Sequence, residues 1–196
     1  MSPIKPNPAK ALLRNEIAAK IAALTNEEKK RQSQIVYEKV INHSWYKSSS
    51  RIALYMSTEN EIDTAPLIKH IQARGAAAFV PQYAGGRMRM LHLETGDEQT
   101  MPKTKHGISQ HGKDQARDDA LETGGLDLII APGVAFSRSG DRLGHGGGYY
   151  DKFITNLRLN PETAPKIVAV AFNCQVVDEV PTNEQDQKVD EVIFAE

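Results

Sequence analysis

Leu126-Asp127-Leu128-Ile129-Ile130-Ala131, ended by Pro132-Gly133, is the stretch from which the architecture follows. Five of its first six residues are apolar. So continuous a run fits a strand buried on both faces, which is the habit of parallel sheets, and it predicts a central position. Pro132-Gly133 breaks the ladder and turns the chain out at the carboxyl end of that strand. In open α/β sheets this is the edge where ligands bind. The residues that follow are Val134-Ala135-Phe136-Ser137-Arg138-Ser139-Gly140-Asp141-Arg142-Leu143-Gly144-His145-Gly146-Gly147-Gly148-Tyr149-Tyr150-Asp151. Five of the 14 glycines, at 140, 144, 146, 147 and 148, fall within nine residues. Successive glycines expose backbone N–H groups to close approach, and a helix starting after them adds its positive end, so the loop suits a phosphate. Arg142 inside the loop favours an anion. The loop lacks the closing Gly-Lys-Ser/Thr of a P-loop, and Tyr149 stands where a GxGxxG sequence has its third glycine. On pattern alone, a tight glycine turn without a ligand stays open as the alternative.

Outward from this stretch, short apolar runs alternate with amphipathic ones, the mark of an α/β fold. Upstream, 51–56 reads as a strand, 66–74 as a helix stopped at Gly75 and 76–80 as a strand, together a β-α-β unit. The alternation over 87–93 predicts an added antiparallel or edge strand. Residues 94–125 are polar, include His106 and His111, and read as a long connection with one short helix beside the site. Downstream, 150–157 reads as a helix, 166–172 as a buried strand and 189–194 as the last strand. At the start, Asn7-Pro8 caps a helix with Ala11, Leu12, Ile17, Ile21 and Leu24 on one side. Thr25-Asn26-Glu27-Glu28 fits a capping box for a second helix, with Ile35, Val36, Val40 and Ile41 as its stripe. The chain therefore reads as one domain over 1–196, a helical hairpin over 1–47 packed on an α/β core over 51–196.

Composition narrows the function. Lys plus Arg total 24 against 25 Asp plus Glu in 196 residues, a formal charge of −1, so no cationic field points to nucleic acid or an anionic membrane. At 40% hydrophobic and 25% charged residues the chain is of ordinary globular make-up. The lone Cys174 closes no intramolecular disulfide and suits a reducing compartment, and nothing around it predicts a lowered thiol pKa. The opening Met1-Ser2-Pro3-Ile4-Lys5-Pro6-Asn7-Pro8 lacks a signal peptide's apolar core, and no run approaches the ~20 residues that span a bilayer. A soluble, cytoplasmic protein with no membrane, nucleic-acid or obligatory protein partner is expected. The histidines have no metal-triad spacing, and only His145 stands apart, by its place in the loop. Trp45 and Tyr46 are expected to pack. Lys10 and Arg14, four apart, share a helix face that is either a solvated basic face or part of a site. Asp186 and Asp190 are either solvated or ligands of a hydrated Mg²⁺. Glu61 follows the first strand at the functional edge, where it serves the site or caps the next helix with Asp63.

The run Arg142-Leu143-Gly144-His145-Gly146-Gly147-Gly148-Tyr149-Tyr150-Asp151 resembles the signature of the 5-formyltetrahydrofolate cyclo-ligase family. The Lys10 and Arg14 pair, Ser57-Thr58-Glu59-Asn60-Glu61-Ile62-Asp63-Thr64, Val80-Pro81-Gln82-Tyr83 and Pro181-Thr182-Asn183-Glu184-Gln185-Asp186-Gln187-Lys188-Val189-Asp190 fall in the family's order. The resemblance implies conversion of 5-formyltetrahydrofolate to 5,10-methenyltetrahydrofolate with ATP and Mg²⁺, releasing ADP and phosphate. It also implies a three-layer α/β/α sandwich around a mainly parallel sheet, similar to the sugar-phosphate isomerases. On the same ground Lys10, Arg14 and Arg142 contact ATP phosphates, with Lys10 and Arg142 catalytic. Gly144, His145, Gly146, Gly147, Gly148, Tyr149 and Tyr150 complete the ATP site. Asp151 and Asp186 hold Mg²⁺. The folate is met by Glu61, Met56, Tyr83 and the loop from His145 to Tyr149. Some relatives carry Arg and Lys where this chain has His145 and Gly147, which moves the stabilising charge onto Arg142, Lys10 and Mg²⁺. The rival readings are a sugar-phosphate isomerase, which needs no ATP, and a folate- or nucleotide-sensing module that binds without turnover.

Overall fold

The computed structural model describes residues 7–104, 107–113 and 115–196, so His106 lies outside the described residues. Helix α1, Pro8–Ala22, begins where the Asn7 carboxamide accepts from the Ala9 N–H at 3.0 Å. Its buried side is narrower than the sequence pattern suggests. Ile17 and Ile21 are buried and Leu13 and Leu24 partly so, whereas Ala11 is exposed and Leu12 is 70% exposed. The spacing 13, 17, 21, 24 makes one stripe, from which Leu12 is turned by about 100°. Helix α2, Asn26–Asn42, is capped by the Thr25 hydroxyl, which accepts from the Glu28 N–H at 3.1 Å. The return half of the capping box is not made, because Arg31 and Gln32 take the Glu28 carboxylate, each at 2.7 Å. A short α3, Ser44–Ser48, seats Tyr46 in the core.

The remaining elements follow in chain order: β1 Arg51–Leu54, α4 Ala65–Ala73, β2 Ala77–Ala84, β3 Arg87–His92, α5 Asp97–Thr100, β4 Leu128–Ala131, β5 Ala135–Ser137, β6 Arg142–Leu143, α6 Tyr149–Leu157, β7 Lys166–Val170, a 3₁₀ turn Asn173–Gln175, β8 Val176–Val177 and β9 Glu191–Ile193. Six strands form a sheet in the order β3-β2-β1-β4-β7-β9. It is parallel except for β3, which folds back on β2 across Gly85-Gly86 as the 87–93 alternation predicts. β4 lies between β1 and β7, with Ile129 opposite both Ala53 and Ile167, and all four of its residues are buried.

Alternation along the strands sends side chains to two cores. Ile52, Leu54, Leu128, Ile130, Val168 and Val170 share one with Ile17, Val36 and Leu67 of the helices α1, α2 and α4. Ala53, Ile129, Ala131, Ile167 and Ala169 share the other with Phe153 and Ile154 of α6. The small residues Ala53, Ala131 and Ala169 leave room there for the rings that α6 brings in. Burial of each Ile or Leu in these cores contributes about 1.5–3 kcal/mol. α2 packs on α3, α4 and β9, while α1 goes to β5 and the 3₁₀ turn. A second small sheet, β6-β5-β8, stands beyond the carboxyl end of β4 where sequence pattern gives only loop. Its strands of two and three residues are too short to carry a periodicity.

Candidate functional site

Parallel strands deliver their carboxyl ends to one edge, and the loops after β1, β2, β4 and β7 meet there. After β4, the β5–β6 hairpin is drawn tight by Asp141, whose carboxylate accepts from Lys188 at 2.9 Å, Ser137 at 2.9 Å and Ser139 at 3.0 Å. Lys188 first, then the two hydroxyls, hold this carboxyl below its ordinary range. Gly140 has a structural reason of its own. Its φ is +89°, and a Cβ there would stand 2.3 Å from the Val189 carbonyl oxygen, whose residue's N–H donates back to the Gly140 carbonyl at 2.9 Å. The tail, not a ligand, makes this close approach. From Gly144 the loop turns outward, with His145, Gly146 and Gly147 exposed ahead of α6.

The three expected phosphate cations take distinct places. Arg14 donates from Nε to the Gly144 carbonyl at 2.9 Å, so α1 touches the loop directly. Lys10 is only 8% exposed and pairs with Asp186, whose Oδ2 also accepts from the Asn183 N–H at 2.6 Å. Neither residue belongs to a solvated basic face. Arg142 lies beneath the loop with its side chain 3% exposed. It donates from Nη2 to Asp151 at 2.7 Å and from Nη1 to the Pro132 carbonyl at 3.4 Å, and its buried Nε has no partner among the described residues. The Gln187 N–H donates to the same Asp151 oxygen at 3.0 Å. Two cation–carboxylate pairs thus join each expected metal ligand to an expected phosphate ligand. Asp190, by contrast, accepts from the Ile167 N–H at 2.7 Å and works in the sheet.

Glu61 faces the loop. Its Oε2 accepts from the Thr58 N–H and hydroxyl, both at 2.9 Å, leaving Oε1 3.8 Å from Nε2 of His145. The start of α4 is served instead by Asp63, which accepts from the Ala65 N–H at 2.9 Å. Tyr83 and Tyr149 meet edge to face with centroids 5.0 Å apart. Burial pushes the Tyr83 hydroxyl up to about 12 and the enclosed Tyr150 hydroxyl well above its ordinary value. The buried Tyr150 hydroxyl has no hydrogen-bond partner among the described residues. Met56 packs toward the α1–α2–α4 core, whereas Tyr83 and Tyr149 pack toward the α6 core. Cys174 is half-buried and its thiol is pushed up by burial, the opposite of an activated nucleophile.

Among the described residues no three His, Cys, Asp or Glu side chains gather as a metal cage. One or two carboxylates beside a phosphate nevertheless match the donor set of Mg²⁺, which keeps most of its waters. A cavity of about 460 Å³ opens elsewhere, between β2–β3 and the connection before β4, walled by Gln82, Arg89, Lys113 and Arg117. It shares no residue with the glycine loop. Sequence reasoning missed Gln175, whose side chain is buried against the turn after β4; a glutamine in a short apolar stretch gives no signal of such a partner.

A mainly parallel α/β sheet thus gathers a glycine loop, a helix start and three cations at one edge. The description is then made specific by relatives. The 5-formyltetrahydrofolate cyclo-ligase family model matches residues 6–195. The 5-formyltetrahydrofolate cyclo-ligase of Mus musculus is 40% identical, over 99% of this chain and 97% of its own. A probable 5-formyltetrahydrofolate cyclo-ligase of Caenorhabditis elegans is 38% identical, over 99% and 95%. The solved 5,10-methenyltetrahydrofolate synthetase of Aquifex aeolicus superposes with a TM-score of 0.75 at 28% identity, covering 94% of this chain and 88% of that one. The chain belongs to the 5-formyltetrahydrofolate cyclo-ligase family and is an enzyme.

Proposed function

We propose that this enzyme converts 5-formyltetrahydrofolate to 5,10-methenyltetrahydrofolate with ATP and Mg²⁺, releasing ADP and phosphate. The observation that carries the reading is the meeting, at one sheet edge, of the exposed glycine loop with Arg14 on one side and Glu61 on the other. A formyl oxygen is a poor leaving group. It attacks the γ-phosphorus of ATP, ADP departs, and the oxygen becomes part of a phosphate ester. N10 of the folate then attacks the activated carbon and loses its proton, and phosphate leaves with the oxygen. The protein's work is alignment of two ligands and stabilisation of charge on the moving phosphoryl group.

In this reading Lys10, Arg14 and Arg142 meet the phosphates, and the backbone from Gly144 to Gly148, with His145, Tyr149 and Tyr150, encloses them. Asp151 and Asp186 would hold Mg²⁺, which would supply positive charge to neutralise the phosphates. The pairs Lys10–Asp186 and Arg142–Asp151 support this assignment. Each pair keeps a cation for a phosphate beside a carboxylate for the metal, so that with both ligands bound neither charge would be left alone in a buried site. Glu61 binds the polar edge of the folate, and Met56, Tyr83 and Tyr149 border its ring. A sandwich of the sugar-phosphate isomerase kind, with 1–47 packed on 51–196 as one domain, belongs to the same reading and is supported by the cores on both sheet faces. So does a cytoplasmic location, supported by the lone Cys174; no helix among the described residues is long and apolar enough to cross a membrane.

The test mixes purified protein with 5-formyltetrahydrofolate and Mg²⁺, with and without ATP, and follows absorbance of the conjugated methenyl product. Product that appears only with ATP is the expected result. Product without ATP, or ATP binding with no product, would refute the phosphoryl-activation route.

A further inference from the structure

We infer that Gln175 is a positioning residue for the phosphate site, a role that rests on the function proposed above. It sits in the 3₁₀ turn after β7, and only 3% of it is exposed. Among the described residues, the hydrogen bonds of its amide tie two strand ends together. Nε2 donates to the carbonyls of Gly133 at 2.9 Å and Val134 at 3.1 Å, while Oε1 accepts from the Phe172 N–H at 2.8 Å. The turn after β4 is thereby fixed to the end of β7 by a side chain with both its donor and acceptor used.

That turn governs the loop. The Val134 N–H donates to the Leu143 carbonyl at 2.7 Å, one residue before Gly144, and the Pro132 carbonyl accepts from Arg142. Gly133 has no slack, because a Cβ there would stand 2.6 Å from the Phe136 ring. Helix α1, which carries Lys10 and Arg14, packs on the same 3₁₀ turn and on β5. One amide therefore sets the glycine loop, Arg142 and the helix bearing the other two cations against a common seat. Misplacement of such groups by about 1 Å is enough to cost on the order of 100-fold in rate.

Gln175→Glu keeps size and acceptor but has no N–H for the two carbonyls, and Gln175→Met removes both functions at similar volume. Gln32→Leu is the control. It strips the acceptor of the Asn173 N–H, at 2.8 Å, from the same turn without touching Gly133 or Val134. We expect kcat per folded molecule to fall at least about tenfold in either folded Gln175 variant, with KM for 5-formyltetrahydrofolate changed less than about threefold. Gln32→Leu should lower the melting temperature and leave kcat within about twofold. Hydrogen exchange of the 133–148 amides should quicken in the Gln175 variants and not in Gln32→Leu. Unchanged kcat with unchanged exchange overturns the role, as does an equal fall in Gln32→Leu. If the wild-type protein makes no product, the proposed activity fails, and unchanged exchange in the Gln175 variants still rejects the positioning.

Discussion

Removing the Arg142 guanidinium would leave the Asp151 carboxylate with the Gln187 N–H as its one remaining partner among the described residues, in a site where its side chain is 18% exposed. A buried ion pair adds little net stability over apolar packing, but deleting one member leaves an uncompensated charge, and Arg142→Ala should cost about 2–4 kcal/mol. Turnover should fall at least about tenfold through loss of charge stabilisation. Urea unfolding and steady-state kinetics on the same preparation measure the two effects, and unchanged turnover in a folded variant would remove Arg142 from the proposed phosphate site. Arg142→Lys should restore little, since an ammonium cannot span Asp151 and the Pro132 carbonyl as the forked guanidinium does. The sequence showed that Lys10 and Arg14 share a helix face and that Arg142 sits in a glycine loop. It could not show their partners, because Asp186 and Gly144 lie 176 and 130 positions away from Lys10 and Arg14. Spacing reports only neighbours within one element; ion pairs across the fold are set by topology.

The β5–β6 hairpin depends on Gly140, and Gly140→Ala combines two penalties. A side chain at φ +89° costs about 1–2 kcal/mol, and the Val189 carbonyl cannot yield as a flexible side chain would, which adds about 1–3 kcal/mol. We expect a loss of about 2–5 kcal/mol by chemical denaturation, against about 1 kcal/mol for Gly85→Ala, where φ is +57° and a Cβ would meet nothing within 4 Å. Equal losses would show that the tail's contact does not decide the residue. At this level the sheet was largely legible. A continuous apolar run announced β4 at the centre, period-two alternation announced β3, and caps announced α1 and α2. The strands β5, β6 and β8 were not, because two or three residues carry no period and their pairing joins Phe136 to Arg142 and to Val176, which local sequence does not relate. That hidden small sheet is what carries Arg142 to the base of the loop.

Three carboxylates fasten different parts of the molecule. Asp97 takes two bonds from Arg117, at 2.6 and 3.0 Å, and so pins the connection between β3 and β4. Asp127 accepts from the N–H groups of Ser50 and Arg51, at 2.8 and 2.9 Å, at the entry to β1, and Asp141 binds Lys188 across to the tail. All three are held below the ordinary carboxylate range: Asp97 chiefly by Arg117, Asp127 by hydrogen bonds that outweigh its burial, and Asp141 chiefly by Lys188. A carboxyl with a depressed folded-state pKa binds fewer protons folded than unfolded. Its contribution is present above the unfolded value near pH 4 and is lost as pH falls through the folded one. The melting temperature should therefore change little through these groups between about pH 7 and 5 and fall steeply below about pH 4. Arg117→Met removes the main cause of the Asp97 shift and should flatten that acid limb while lowering stability at neutral pH. The check is a calorimetric series from pH 7 to 3 on both proteins. Parallel curves would mean that Arg117 does not couple Asp97 to folding, and that the connection before β4 is held by its backbone bonds, Ala120 N–H to the Met90 carbonyl and His92 N–H to the Asp118 carbonyl, both at 2.8 Å.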